Sequence, residues 1–147
     1  MIDMSSTRPS TVFVDTSAYI ALARLDDERH DAAVIILNAL QRQRVRLCTT
    51  NFVVAETHAM MLRYLGRAVA WRFVQELDKS RVTTTVRVEL ADEAGARVIL
   101  GCHTDKDYSL TDALSFSVMR RLGITHAFAF DKHFAQFGIM ILTTSPW

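Results

Sequence analysis

Lysine and cysteine are both scarce in this chain of 147 residues, and no hydrophobic run is long. Only Lys79, Lys106 and Lys132 are lysines, so 14 of the 17 bases are arginine. That bias suits planar, bidentate contact with phosphate or carboxylate, although genome composition alone also produces it. Two cysteines, Cys48 and Cys102, allow at most one bridge. A disulfide-held secreted scaffold needs far more, so they read as reduced core residues of a cytoplasmic protein. The longest apolar stretch, Ala32 to Leu40, has about half the length of a membrane span and is interrupted by Asn38, so no membrane-crossing segment is expected. Met1 to Thr11 is polar, with Ser5, Ser6, Thr7 and Pro9, and lacks the apolar region of a secretory signal. It is expected as a flexible leader, with 12–147 as a single domain. An excess of charge of one sign is also missing: 17 bases against 16 acids leave +1, which excludes a histone-like polycation or an acidic solvating segment. There is no internal repeat, low-complexity tract or linker. What is abundant is hydrophobic residue, 50% of the chain, enough for one core and not for two.

Two apolar patterns alternate along the sequence. Short runs rich in β-branched and aromatic residues occur at Val12–Val14, Val45–Leu47, Val82–Val86, Ala127–Phe130 and Ile139–Leu142, and predict strands. Between them, helical spacing occupies Thr16–Ala23, Arg29–Gln41, Phe52–Leu65, Ala68–Leu77, Glu89–Leu100 and Asp112–Leu122. Strand and helix in alternation predict an α/β domain, a central, mostly parallel sheet of about five strands between helices. Gly66, Gly101 and Gly123 stand where three of these helices are expected to end.

In such a sheet, chemistry belongs beyond the carboxyl ends of the strands, and four acids answer to that place. Asp15 closes Val12-Phe13-Val14 and Asp131 closes Ala127-Phe128-Ala129-Phe130; each is also a good N-cap for a following helix. Glu56 lies four after Phe52, three after Val53 and three before Ala59, which predicts a core-facing stripe where a carboxylate needs a partner. A buried ion pair or a protonated acid is the alternative, but Arg63 and His58 are not at the favoured helical spacing. Asp112, in Ser109-Leu110-Thr111-Asp112, fits a capping box; it also falls four before Phe116 and seven before Met119, a stripe that points inward.

Four carboxylates on one rim repel: a pair at 4 Å costs about 1 kcal/mol in water and roughly four times that at a protein-like dielectric. A hard divalent cation, Mg²⁺ or Mn²⁺, removes that cost, since it takes oxygen ligands from a few carboxylates and keeps several waters. Setting the four aside leaves 12 acids against 17 bases, and Arg42, Arg44, Arg46, Arg63, Arg67, Arg120, Arg121 and Lys132 become candidates to line a path for a polyanion. A solvated surface is the plainer reading of the same residues. His30, His58, His103, His126 and His133 have no ligand spacing and read mostly as surface or helix-end residues; His133, two after Asp131, is a candidate phosphate contact.

Taken in order, Val12-Phe13-Val14-Asp15-Thr16-Ser17, Ala55-Glu56, Ser109-Leu110-Thr111-Asp112-Ala113 and Phe130-Asp131-Lys132-His133-Phe134 resemble the PIN domains, and among them the VapC toxins of toxin–antitoxin pairs. The resemblance implies a three-layer α/β/α domain and a Mg²⁺- or Mn²⁺-dependent ribonuclease site made by Asp15, Glu56, Asp112 and Asp131. Ser17 matches a hydroxyl that holds a metal-bound water. It further implies hydrolysis leaving a 5′-phosphate, a homodimer, and a small antitoxin that blocks the site. Met60, Met61, Tyr64, Trp71 and Phe73, more large apolar surface than two short helices need, are partly core and partly a candidate interface. An aspartyl phosphatase would want a second acid at Ser17, and a phosphoacceptor domain would want an acid pair at the first strand. The remaining alternative is a PIN-like module that binds RNA or protein without catalysis.

Overall fold

The computed structural model describes residues 8–145. The rest of the expected leader, residues 1–7, lies outside the described residues. Strand β1, Thr11–Val14, begins one residue inside that leader segment, and the Ser10 carbonyl already accepts from the Arg46 N–H at 3.1 Å.

β1 shows why a run of consecutive apolar residues forms a central strand. Val12 and Val14 point to one face of the sheet, and Phe13 points to the other; all three are buried, as expected for a strand covered on both sides. Its neighbours are β2, Arg46–Thr50, and β4, His126–Phe128, both parallel to it. β3, Thr83–Val86, pairs outside β2, and β5, Met140–Ile141, outside β4. The order β3-β2-β1-β4-β5 is the all-parallel five-strand sheet that the alternation predicted.

Helices α1, Thr16–Ala23, and α2, His30–Arg42, cover the Val12/Val14 face through Ala18, Ala21, Ala33, Ile36 and Leu40. Helices α5, Leu90–Cys102, and α6, Leu110–Leu122, cover the opposite face through Ala96, Ile99, Leu114, Phe116 and Met119. Helix α3, Asn51–Tyr64, and helix α4, Arg67–Lys79, form a satellite cluster around Met61, Ala70 and Phe73. Gly66, at φ 93°, breaks α3 from α4, and Gly123, at φ 68°, ends α6 in the left-handed conformation that a side chain disfavours.

Several expectations are corrected. Gly101 lies inside α5, which runs one residue further and is capped by His103. Cys102 is exposed at the end of that helix, and only Cys48 is buried; the apolar surroundings of Cys48 push its thiol up to about 11. Val82 is half-exposed and precedes β3. β4 stops at Phe128, two residues short of the predicted strand end. A seventh helix, α7, Lys132–Gln136, follows the N-cap that Asp131 offered, but no periodicity marked it, because five residues are too few to display a period. It is held by its ends: Asp131 caps it, and fully buried Phe134 packs on Phe13 and Phe116, with ring centroids 6.1 and 5.0 Å away. Truncating such a core phenylalanine costs about 3–5 kcal/mol, more than the helix would lose by fraying.

Candidate active site

The strand order reverses between β1 and β4, and the two carboxyl ends meet there. The Asp15 N–H donates to the Phe128 carbonyl at 3.1 Å, which fixes one strand end against the other. Asp15 then caps α1: its Oδ2 accepts from the Ser17 N–H at 3.2 Å and the Ser17 hydroxyl at 2.7 Å. The same Ser17 Oγ accepts from the Phe130 N–H at 2.9 Å, so this side chain ties the β1–α1 junction to the β4–α7 junction. Asp15 is 4% exposed. Burial pushes its carboxyl up from 3.8 to about 6, with the Ser17 hydrogen bonds opposing and the nearby charge of Asp112 adding to the rise.

Asp112 satisfies both readings of its sequence context. It exchanges hydrogen bonds with the N-cap, Ser109 N–H to Oδ2 at 3.0 Å and its own N–H to Ser109 Oγ at 3.0 Å, and its carboxylate is nonetheless buried toward the rim. There the same Oδ2 lies 3.0 Å from His133 Nδ1, which is also 3.2 Å from Asp131 Oδ1. Both neighbours are acceptors, so Nδ1 carries the ring proton and donates. Asp131 in turn accepts from the His133 N–H at 2.8 Å as the N-cap of α7.

Glu56 is placed differently from its predicted stripe. The buried side of α3 is Val53, Thr57 and Met61, with Thr57 Oγ1 bonded to Thr16 Oγ1 at 3.1 Å; Ala59 is exposed. Glu56 stands one position away, half-buried in the cleft wall, with no hydrogen bond or ion pair to any described residue. It needs no buried partner because it faces the cleft and not the core.

Asp15, Glu56, Asp112 and Asp131 together line one cleft of about 220 Å³, with Asp27 and Arg29 at its edge. A larger hollow of about 650 Å³ lies elsewhere, against Tyr19, Leu22, Leu37, Phe73 and Leu77. It is apolar and lacks converging acids, so the smaller cleft is where chemistry is possible. Asp112, Asp131 and His133 each offer a ligand atom, all within 4.8 Å of one another; Asp15 and Glu56 line the same cleft. Four carboxylates lining one cleft fit a hard divalent cation that takes oxygen ligands, with the His133 ring donating to two of them. Asp15, whose carboxyl is lifted chiefly by burial and further by the charge of Asp112, is the acid such a cation would relieve.

Sequence reasoning missed two things here. His133 was read mostly as a surface or helix-end residue and a candidate phosphate contact; that its ring joins two of the acids was not foreseen. Arg29 was not among the eight candidate bases, none of which lines the cleft; yet it opens the predicted helix 29–41, at one of the helix starts where chemistry was sought. Arg121, one of the eight, is engaged elsewhere: it binds Asp92 through two hydrogen bonds of 2.8 and 2.9 Å and lies 3.5 Å from Glu89.

A parallel sheet in this order with acids at its central switch point defines a PIN fold, and a PIN domain model matches residues 12–139: the chain belongs to the PIN domain family. Among its relatives is the 23S rRNA-specific endonuclease VapC20 of two Mycobacterium tuberculosis strains, 37% identical over 134 residues, which covers 88% of this chain and 95% of that protein. The crystal structure of Mycobacterium tuberculosis VapC20, a sarcin–ricin loop cleaving toxin, superposes with a TM-score of 0.81 at 33% identity, over 90% of this chain and 98% of that one. FitAcB from Neisseria gonorrhoeae shares the fold at a TM-score of 0.64 and 15% identity, over 90% of this chain and 97% of that one.

Proposed function

We propose that this chain is an endoribonuclease of the VapC type that hydrolyses RNA phosphodiester bonds with Mg²⁺ or Mn²⁺ held by Asp15, Glu56, Asp112 and Asp131. The observation that carries the reading is the convergence of these four carboxylates, from four separate elements, on one small cleft at the sheet's switch point. A bound divalent ion supplies there a water of lowered pKa and positive charge against the scissile phosphate. Asp112 and Asp131 would hold the ion, oriented by the Ser109 N–H and the α7 cap. Asp15 would complete the set with its charge restored, kept aimed into the cleft by Ser17. Glu56, in the cleft lining and unpaired among the described residues, would act as a ligand directly or through water, or orient the attacking water. His133 would keep the two aspartates at a fixed separation by donating to both. A catalytically silent binding module has no use for mutually repelling acids, which makes it the weaker alternative.

Because VapC20 acts on 23S rRNA, the sarcin–ricin loop of that RNA is the first substrate to test. A cognate antitoxin, a homodimer and a cytoplasmic place of action accompany the same reading; among the described residues no helix is long and apolar enough to cross a membrane. Of the residues expected at an interface, Met60, Tyr64 and Trp71 are exposed, while Met61 and Phe73 are core. The test is cleavage of total RNA with Mg²⁺ or Mn²⁺ and with EDTA, followed by mapping of the new ends. New 5′-phosphate ends that EDTA abolishes are expected; 2′,3′-cyclic phosphates, or cleavage indifferent to EDTA, would overturn the mechanism.

A further inference from the structure

We propose that Arg29 is the backbone-binding residue of this cleft, gripping an RNA phosphate beside the one that is cut; the inference rests on the nuclease reading. Among the described residues Arg29 is the one Lys or Arg that lines the cleft, and it does so alongside five acids, the proposed four and Asp27. A flexible guanidinium in such company should collapse onto a carboxylate, yet Arg29 has no ion pair with any described residue. Two contacts explain why. Asp27, two residues before it, accepts from the Arg29 backbone N–H at 2.7 Å, which holds the turn entering α2. The guanidinium carbon lies 5.9 Å from the centroid of the Phe130 ring, an attraction of charge to the ring face that holds the group away from the acids.

Phe130 is itself fixed, because its N–H donates to Ser17 Oγ, which donates to Asp15. The arginine is therefore placed beside the acidic site through its contact with Phe130, and its guanidinium has no ion pair among the described residues. A planar fork of N–H groups in that state matches phosphate oxygens bidentately. There is also a need for it. Five carboxylates outweigh the charge of one divalent ion, and a base in the lining lowers the repulsion that a polyanion meets there.

The experiment measures cleavage of a synthetic sarcin–ricin hairpin RNA in Mn²⁺ by wild type, Arg29→Ala, Arg29→Lys and Arg24→Ala. Arg24, exposed, paired with Asp26 at 3.3 Å and outside the cleft lining, is the control on the same loop. Arg29→Ala should raise KM about tenfold with kcat changed less than about threefold, and should lower the salt slope of binding by roughly one. Arg29→Lys should recover part of the loss, and Arg24→Ala should match wild type. The rise in melting temperature with Mn²⁺ should be kept or enlarged in Arg29→Ala, since a cation has been removed from the acids. Wild-type KM and salt dependence in Arg29→Ala, or a loss confined to kcat, would overturn the role of Arg29 while leaving the nuclease intact. A wild type that cuts no RNA would instead overturn the nuclease reading, and this inference with it.

Discussion

Asp92 and Asp112 occupy the same local position, the third residue of a helix, each accepting a hydrogen bond from the N-cap N–H, at 2.8 and 3.0 Å, and each is buried. What surrounds them differs. Asp92 faces Arg121, whose two hydrogen bonds hold its carboxyl below the usual carboxylate range. Asp112 faces Asp131, Asp15 and the His133 ring, with no arginine or lysine paired to it among the described residues. One acid is neutralised by the protein and joins α5 to α6; the other is left for something the protein does not supply. A capping motif thus places a carboxylate without deciding its use, and the charge opposite decides it.

Substitution should separate the two. Asp112→Asn keeps the cap and should lower metal-dependent cleavage about a thousandfold, measured by initial rates on the hairpin, with the fold intact by circular dichroism. Arg121→Ala should do the reverse, costing about 3 kcal/mol in urea unfolding because Asp92 is left buried and unpaired, while cleavage well below the melting temperature stays near wild type. Mn²⁺ at about 100 times its Kd should add about 2.7 kcal/mol of stability to wild type and much less to Asp112→Asn, read as melting temperature.

The variant with the smallest expected effect, Asp15→Asn, is read against pH. In the metal-free protein the Asp15 carboxyl titrates near 6 against 3.8 ordinarily, so the fold binds its proton more tightly than the unfolded chain does. Stability from this group is full below pH 3.8 and is lost as pH rises toward 6, about 3 kcal/mol in all. Asp92 contributes with the opposite sign: its stability is present above 3.8 and lost as pH falls through its lowered value. Asp15→Asn should therefore stabilise the metal-free protein at pH 7 by about 2 kcal/mol and flatten the decline between pH 4 and 6, followed by urea unfolding across that range; an unchanged profile would mean that Asp15 is not strained.

The layered fold and the places of Asp15, Asp112 and Asp131 were legible because strand ends and helix starts leave local marks: a change of period, a capping residue, a run of β-branched side chains. Glu56 was found for an imperfect reason. Its spacing from Phe52 and Val53 suggested the core stripe, but that stripe is narrow and centred on Thr57, which is buried through its bond to Thr16. Helix α7 left only the capping mark of Asp131, because buried Phe134 and that cap, not periodicity, hold it. The Arg121–Asp92 pair spans 29 residues, and no local pattern announces such a distance; for the same reason Arg121 resembled a free surface base. Arg29 and His133 gain their meaning from Phe130, Asp112 and Asp131, neighbours that only the folded chain assembles.

In the proposed mechanism the cleft acids tolerate one another because a divalent ion joins them. Carboxyl-carbon NMR of aspartate-labelled protein, titrated from pH 3 to 8 with and without Mg²⁺, tests it most directly. Asp15 should titrate near 6 without the ion and fall below its ordinary 3.8 when Mg²⁺ saturates the site, while Asp92 stays put; an Asp15 titration unmoved by Mg²⁺ and by Mn²⁺ competition would contradict the account.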